Sequence, residues 1–217
     1  MAFPTVALSD YLTITADLLH VSTADYGYWS QAKLIRYINR GMQRRDLLTG
    51  GVRTLVTVAL VAGTDTYTFT NTVGLERAFD VNSITLIWGT ERIVLGQRPF
   101  TELQTRYRTW TNLQSTPVAW AKLNPTTVIL APNPSQAFST SWDVSLYSTP
   151  LALTTDTDPL PYPYTECVPY WAARLAKIDE RQYDEAAAFE ADFNRFVTDA
   201  INAKTGMVPN YYGILSR

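Results

Sequence analysis

The hydrophobic periodicity of this chain changes twice, and these changes constrain its fold more than any other feature. Up to about residue 51 apolar residues recur at helical spacing, from 52 to 150 short alternating runs predominate, and after a proline-rich stretch the helical spacing returns. A period near 3.6 is typical of amphipathic helices, and a period of two is typical of half-buried strands. The sequence therefore predicts an α+β fold, in which the N- and C-terminal segments form a helical bundle or hairpin with an inserted antiparallel β-sandwich or barrel-like module.

The same pattern predicts four segments. Residues 1–51 supply the N-terminal helices, 52–150 form the β-rich insert, 151–205 supply C-terminal helices that complete the helical body, and 206–217 form an extended tail. No repeat or low-complexity tract interrupts this order.

Two helices are predicted in the first segment. The first has Thr5 or Ser9 as its candidate cap, and its apolar positions are Leu8, Leu12, Ile14, Leu18 and Leu19. The second is predicted to begin after Ser30 and to end at Gly50 and Gly51, which favour a helix stop. Its apolar stripe consists of Leu34, Ile35, Ile38 and Met42.

The C-terminal helices are predicted from two apolar stripes. The first consists of Val168, Trp171, Leu175 and Ile178, and the second of Phe189, Phe193, Phe196, Ala200 and Ile201. The break between them, near 179–184, fits either two helices in a hairpin or one bent helix. Pro169 fits either the first position of the helix or a kink within it.

The insert is rich in β-branched and aromatic residues separated by Gly, Pro and Asn, as is typical of short strands. A hairpin is predicted around Gly89 and Thr90. A helix is predicted after Pro99, with Phe100, Leu103 and Tyr107 on one face.

Cys167, the single cysteine, is the first candidate for chemistry. A thiol nucleophile needs a base within reach, and the single histidine, His20, lies in the N-terminal region. No small-residue elbow surrounds Cys167, and unpaired cysteines usually behave as small buried hydrophobic residues. We interpret the stretch from Pro159 through Pro163 to Cys167 as a structural clamp that leads into a helix.

Other candidate sites are weaker. One histidine and one cysteine exclude the usual zinc patterns. Asp156 and Asp158 could offer oxygen ligands in a loop, but a hydrogen-bonded turn is the favoured interpretation because the glycine and distal glutamate of an EF-hand are absent. The carboxylate pairs 179–180 and 184–185 are interpreted as a solvated helical bend. The sequence predicts neither a cofactor nor an enzyme.

Composition favours a protein that packs into an assembly. Charged residues make up only 18% and the formal net charge is −2, so no basic excess exists to drive non-specific binding to phosphates. A neutral polar surface costs less to desolvate against partners than a charged one. No basic leader and no apolar window of membrane-spanning length is seen, so we expect a soluble protein made in a cytoplasm.

Two interaction surfaces are predicted. Arg36, Arg40 and Arg44 are spaced by four, with Lys33 and Arg45 nearby, and form a possible partner-facing basic stripe for an acidic surface or a phosphate backbone. A solvated face or ion pairs with a neighbour explain the same spacing. The second surface is the tail, which docks either on its own domain or on a partner. Its candidate docking residues are Met207, Val208, Pro209, Tyr211, Tyr212, Ile214 and Leu215.

The order of these elements resembles tailed-bacteriophage head–tail connector (adaptor) proteins across nearly the whole chain. The matching positions are Trp29, Leu34 and Asn39 in the early helix, Leu130, Pro132 and Pro134 in a strand that ends in prolines, and Leu160, Pro161, Tyr164 and Glu166 before the late helix. The large insert departs from the pattern, which leaves open which tail component it meets.

The resemblance implies a virion protein at the head–tail junction. Such adaptors form a homo-oligomeric ring, commonly a dodecamer, beneath the portal protein. The ring extends the channel through which DNA passes without specific binding, and it offers a platform to a tail or nozzle protein, with no membrane involved. C-terminal segments often reach into the portal, which would make 206–217 the portal-docking tail. Another neck or tail-tube protein, a virion-associated hydrolase and a DNA-binding module are the alternatives.

Overall fold

A computed structural model of the chain describes residues 5–24, 26–106 and 112–207, with the side chains of Arg106 and 204–207 left out. The helices in these ranges are α1 (Leu8–Leu18), α2 (Gln31–Thr49), α3 (Phe100–Arg106), α4 (Val168–Asp179) and α5 (Tyr183–Met207). The strands are β1 (Val52–Ala59), β2 (Thr66–Thr68), β3 (Ala78–Trp88), β4 (Glu91–Val94), β5 (Gly96–Gln97), β6 (Gln114–Ser115), β7 (Ala119–Asn124), β8 (Thr127–Ala131), β9 (Asn133–Pro134) and β10 (Ser139–Leu146). The predicted α+β fold class is confirmed.

The chain forms two compact units. One combines Met1–Gly51 with Ser148–Arg217, and the other is Val52–Tyr147. We call them the helical unit and the insert.

Helix α2 has the bounds that its sequence predicts. Ser30 occupies the N-cap position, and Gly50 ends the helix in the left-handed conformation with φ 90°. The Gly50 N–H donates to the Asp46 carbonyl at 2.9 Å, so the helix end is satisfied. The predicted stripe is buried at Leu34, Ile38 and Met42 and half-buried at Ile35.

Helix α1 differs from its prediction in cap and face. Neither Thr5 nor Ser9 caps it: Ala7 is the N-cap residue, and its N–H donates to the Asp10 carboxylate at 3.1 Å. Ile14 is 43% exposed. The buried face instead carries Leu8, Tyr11, Leu12, Thr15 and Ala16, so a buried tyrosine and threonine replace the isoleucine that simple hydropathy selects.

Helix α4 begins at Val168, with Pro169 in its first turn, where no N–H is required. The predicted stripe is wrong in part, because Trp171, Leu175 and Ile178 are only half-buried while Ala172, Ala173 and Ala176 are fully buried. Small residues allow the close approach of α2: a Cβ added at Gly41 would lie 3.0 Å from the Val168 carbonyl oxygen. Close helix contact, rather than side-chain size, selects the buried face here.

Helices α4 and α5 form the antiparallel hairpin, one of the two predicted alternatives. The rings of Tyr170 and Phe196 are 4.9 Å apart, and Arg174 pairs with Glu190 at 3.1 Å further along the hairpin. Phe193 and Ala200 of the predicted second stripe are buried, Phe189 and Phe196 are half-buried, and Ile201 is exposed.

The insert is a sandwich of two sheets. The first has the strand order β1-β10-β3-β4 and is antiparallel throughout, and the second has the order β2-β8-β7-β5. Their facing sides bury one core, which includes Trp142 and Ile84 from the first sheet and Trp120 and Val128 from the second. The predicted hairpin is confirmed, with Trp88 opposite Glu91 across Gly89 and Thr90. The β5–β7 and β6–β9 pairs are parallel, which two-residue strands do not signal in sequence.

Helix α3 covers the other side of the second sheet. Leu103 is fully buried, and Phe100 packs against the same cluster as Ala121 and Ile129. Tyr107, the third residue of the predicted face, lies outside the described residues.

Candidate functional site

The predicted basic stripe on α2 is divided by the structure. Arg36, Arg40 and Arg44 are exposed, and the Arg44 guanidinium lies 5.6 Å from the centre of the Trp171 ring. Lys33 is half-buried and pairs with Asp179 at 2.5 Å. The exposed basic face therefore consists of Arg36, Arg40 and Arg44. The charge of Lys33 is paired with Asp179 within the helical unit.

Arg45, which the sequence analysis placed near this stripe, is completely buried. Its Nη1 donates to Asp158 at 2.5 Å, its Nε donates to Asp46 at 3.0 Å, and its Nη2 donates to the Ser148 hydroxyl at 2.9 Å. We call Arg45, Asp46, Asp158, Tyr11 and Ser148 the Arg45 cluster. A guanidinium has five donors in a fixed planar fork, so one side chain can bind several acceptors at once.

The acceptors of the Arg45 cluster are held from several directions. The Tyr11 hydroxyl donates to Asp158 at 2.8 Å, and the Leu160 N–H donates to the same carboxylate at 2.9 Å. The Ser148 N–H donates to Asp46 at 2.7 Å. These bonds join α1 and α2 to both ends of the segment 148–160, which contains no helix or regular strand.

Burial and the neighbouring carboxylates shift the pKa values of both Tyr11 and Arg45. Burial and the nearby Asp158 carboxylate raise the pKa of the Tyr11 hydroxyl, so it stays neutral and donates. Burial by itself lowers the pKa of Arg45, but Asp158 and Asp46 outweigh it, and the pKa is raised above its ordinary value. The arginine is permanently charged and fully partnered.

The segment 148–160 is also fixed at two further points. The Asn39 amide donates to the Leu151 carbonyl at 2.9 Å and accepts the Leu151 N–H at 2.8 Å, so one side chain pairs with the backbone as a strand would. The Asp156 carboxylate accepts the N–H groups of Ala152 and Leu153, both at 2.8 Å. The predicted hydrogen-bonded turn is thus present at Asp156, and Asp158 is a buried ion-pair partner.

Cys167 is buried at the start of α4, as the clamp interpretation predicts. Its thiol donates to the Tyr164 carbonyl at 3.3 Å. Burial raises the pKa of the thiol to about 12, the opposite of what a nucleophile needs. His20 is exposed just beyond the end of α1.

Three of the four carboxylates predicted to be solvated are in fact partnered. Asp179 binds Lys33 and accepts the Tyr37 hydroxyl, and these contacts lower the pKa of the carboxyl. Glu180 and Glu185 both pair with Lys177. Among the described residues no three His, Cys, Asp or Glu side chains are placed to hold a metal ion.

Two grooves were not foreseen from sequence. One, of about 290 Å³, lies on the helical unit between α1 and the start of α4 and is lined by Val6, Tyr11, Ile14, Tyr162, Thr165, Glu166, Pro169 and Tyr170. The other, of about 380 Å³, lies on the insert beside β1. The sequence signal for the groove on the helical unit is Ile14. This residue belongs to the predicted apolar stripe of α1, but the structure leaves it exposed in the groove lining.

The candidate tail falls almost entirely outside the described residues. Met207 is the last residue of α5, and Val208, Pro209, Tyr211, Tyr212, Ile214 and Leu215 follow beyond the described range.

The described chain thus has a helical unit made from both chain ends, an inserted sandwich, and buried polar clusters that fix the backbone. Residues 9–212 match the family described as SU10 adaptor protein, so the chain belongs to that family. The family is one of bacteriophage structural adaptors, which makes this chain a virion component that interacts with other virion proteins. No curated protein matches the chain. Across the residues that are described, no helix combines the length and apolarity needed to cross a membrane.

Proposed function

We propose that this chain is a subunit of a head–tail connector, which assembles as a ring beneath the portal, extends the DNA channel and offers a platform to the tail. The observation that carries the proposal is the family match, which runs through the helices at both ends and through the whole insert. This role requires stable surfaces and no chemical reaction. The buried Cys167 and Arg45, whose pKa values are raised, stabilise the fold.

The tail is the proposed contact with the portal. Its residues Tyr211, Tyr212, Ile214 and Leu215 give ten terminal residues an apolar and aromatic character, and such residues bury large areas when they bind in a pocket. Helix α5 runs through Gly206 and Met207, the first two residues of the predicted tail, and residues 208–217 follow it in sequence.

The exposed basic face is the proposed contact with an acidic protein surface. Arg36 and Arg40 are exposed and make no ion pair with the described part of the chain. The sequence contains 20 acidic residues, so each neighbouring copy offers carboxylates as partners for this face. Steep salt dependence of binding to duplex DNA would instead assign this face to nucleic acid.

The experiment is size-exclusion chromatography with light scattering, on the chain alone and mixed with purified portal rings from the same genome. We expect a stoichiometric complex with the full chain and none after deletion of 208–217, which leaves α5 complete. A matched variant keeps the length and replaces Tyr211, Tyr212, Ile214 and Leu215 by serine; its loss of binding would assign the contact to side chains. Unchanged binding by both variants would remove the tail from the mechanism, and a full chain that ignores the portal would refute the connector role.

A further inference from the structure

The first sheet of the insert has two free edges. Strand β1 pairs with β10 on one side, and β4 pairs with β3 on one side. Within the described residues no other strand joins either edge. A free edge presents a row of unpaired backbone N–H and C=O groups, which is a template for pairing with another chain.

The β1 edge lacks the features that normally prevent such pairing. It is eight residues long and has no proline, and its one charged side chain, Arg53, is bound to Asp143, with Nε donating at 2.8 Å. Leu55 is 67% exposed, and the groove of about 380 Å³ runs beside the C-terminal half of the strand. Val73, which lines this groove, is 85% exposed. A long free edge that exposes an apolar side chain is prone to pair with another strand.

The β4 edge is similarly open. Its four residues are all exposed: the charged Glu91 and Arg92 come first, followed by the apolar Ile93 and Val94, and Val94 is 68% exposed. The strand is the outer arm of the hairpin that turns at Gly89 and Thr90. Both edges therefore expose apolar side chains together with backbone hydrogen-bonding groups.

The two edges are complementary to each other. The sheet has four antiparallel strands, so β1 and β4 run in opposite directions, and β4 of one copy can continue the antiparallel alternation into β1 of another. Directly paired residues face the same side of a sheet. Val94 is paired with Thr85, Thr85 with Ser141, and Ser141 with Thr57, so Val94 and Thr57 face the same side. Val94 therefore shares a face with Leu55, two residues from Thr57.

We propose that β4 of one copy pairs antiparallel with β1 of the next, with Val94 opposite Leu55 and Ile93 opposite Val56, so that the sheets of successive copies join edge to edge. This inference rests on the proposed ring and names the surfaces that build it. Each copy uses one edge of each kind, so the contact is heterologous, and a closed ring leaves no edge exposed. Main-chain hydrogen bonds supply the affinity, and the two apolar pairs Val94–Leu55 and Ile93–Val56 set the register.

Cysteine cross-linking of the full chain tests the pairing directly. Opposed residues of antiparallel strands have Cα atoms about 4.5–5.5 Å apart, within the range that a disulfide spans. We expect the double variant Leu55→Cys/Val94→Cys to give a ladder of covalent multimers after mild oxidation, both alone at high concentration and on portal rings. The native Cys167 is buried and does not compete.

Matched variants define the register. Ala59→Cys with Val94→Cys keeps both thiols on the same face but displaces one by four residues, about 13 Å. We expect that pair and both single variants to give no ladder. Rings on the portal without a Leu55/Val94 ladder would overturn the edge pairing and leave the connector role intact, whereas a ladder from the Ala59 pair would overturn the register. The thiol of Leu55→Cys can also be tested with an alkylating reagent. If this thiol becomes protected only after a tail component is added, the β1 edge binds that component, and pairing between copies is refuted.

A charge substitution gives a second readout that does not depend on oxidation. Leu55→Lys replaces the apolar contact with Val94 by a lysine, the side chain that protects many natural sheet edges from pairing, so we expect a weakened oligomer while circular dichroism shows an intact fold. Leu123→Lys is the control, because Leu123 is also exposed but lies at the end of β7 in the other sheet. Equal oligomers from both variants would contradict the proposal.

Discussion

Replacement of Arg45 by methionine tests whether the Arg45 cluster holds the helical unit together. The side chain is fully buried and donates to Asp158, Asp46 and Ser148. Methionine fills a similar volume but carries neither charge nor donor, so two carboxylates that are themselves fully buried lose their counter-charge.

The expected loss is large relative to the stability of a domain. Removing one partner of a buried ion pair costs about 3–5 kcal/mol, because the remaining charge is left uncompensated. A typical domain has a free energy of unfolding of about 5–15 kcal/mol. Arg45→Met should therefore remove about a fifth or more of the stability of the helical unit. Arg45→Lys keeps the charge but not the planar fork, so its loss should be intermediate.

Urea unfolding followed by far-UV circular dichroism measures this loss, since four of the five helices belong to the helical unit. The control is Arg36→Met on the exposed face of the same helix, expected to change stability by about 0.5 kcal/mol or less. In the triple variant, Asp46→Asn and Asp158→Asn accompany Arg45→Met, and much of the loss should be regained because no buried charge remains. A loss below about 1 kcal/mol for Arg45→Met at unchanged m-value would refute the reasoning.

Two further predictions concern the segment around 148–167. Asn39→Ala leaves the N–H and C=O of Leu151, a residue only 3% exposed, without their partner, so we expect a loss of about 1–3 kcal/mol in urea unfolding. A loss no greater than that of the exposed neighbour Arg40→Ala would contradict the role of Asn39 in holding the segment 148–160. For Cys167, whose pKa burial raises to about 12, we expect slow reaction with a thiol reagent in the folded protein and rapid reaction after unfolding. The exposed Ala187→Cys in a Cys167→Ala background is the control, and equal rates would refute burial of the thiol. Because the folded pKa is the higher one, the associated stability is complete below the unfolded thiol pKa of about 8.5 and is lost as the pH rises toward 12.

Local chemistry made several elements predictable from sequence. Helix α2 begins after Ser30 and ends at Gly50. Pro99 precedes α3, and the β3–β4 hairpin turns at Gly89 and Thr90. These signals act within a few residues, through dihedral preferences and through backbone groups that need partners at helix ends. The clamp at Cys167 belongs to the same class, because prolines and a helix start define it.

Contacts between distant parts of the chain decided the rest. Asn39 and Leu151, or Arg45 and Asp158, are over a hundred residues apart in sequence, and nothing local marks them as partners. The buried face of α4 follows its alanines because α2 approaches closely at Gly41.

The sequence by itself determined that the N- and C-terminal segments are helical and that the middle of the chain is β-rich, because both depend on hydrophobic periodicity. It also determined most helix limits, because these depend on capping residues, glycine and proline. Only the tertiary structure decided that Arg44 is exposed while Arg45, the next residue, is buried in an ion cluster. Consecutive helical residues point about 100° apart, and both are arginine, so composition cannot separate them. The difference comes from Asp158, which the fold brings to one face of α2, because a buried charge is tolerated only where its partners lie within hydrogen-bond reach.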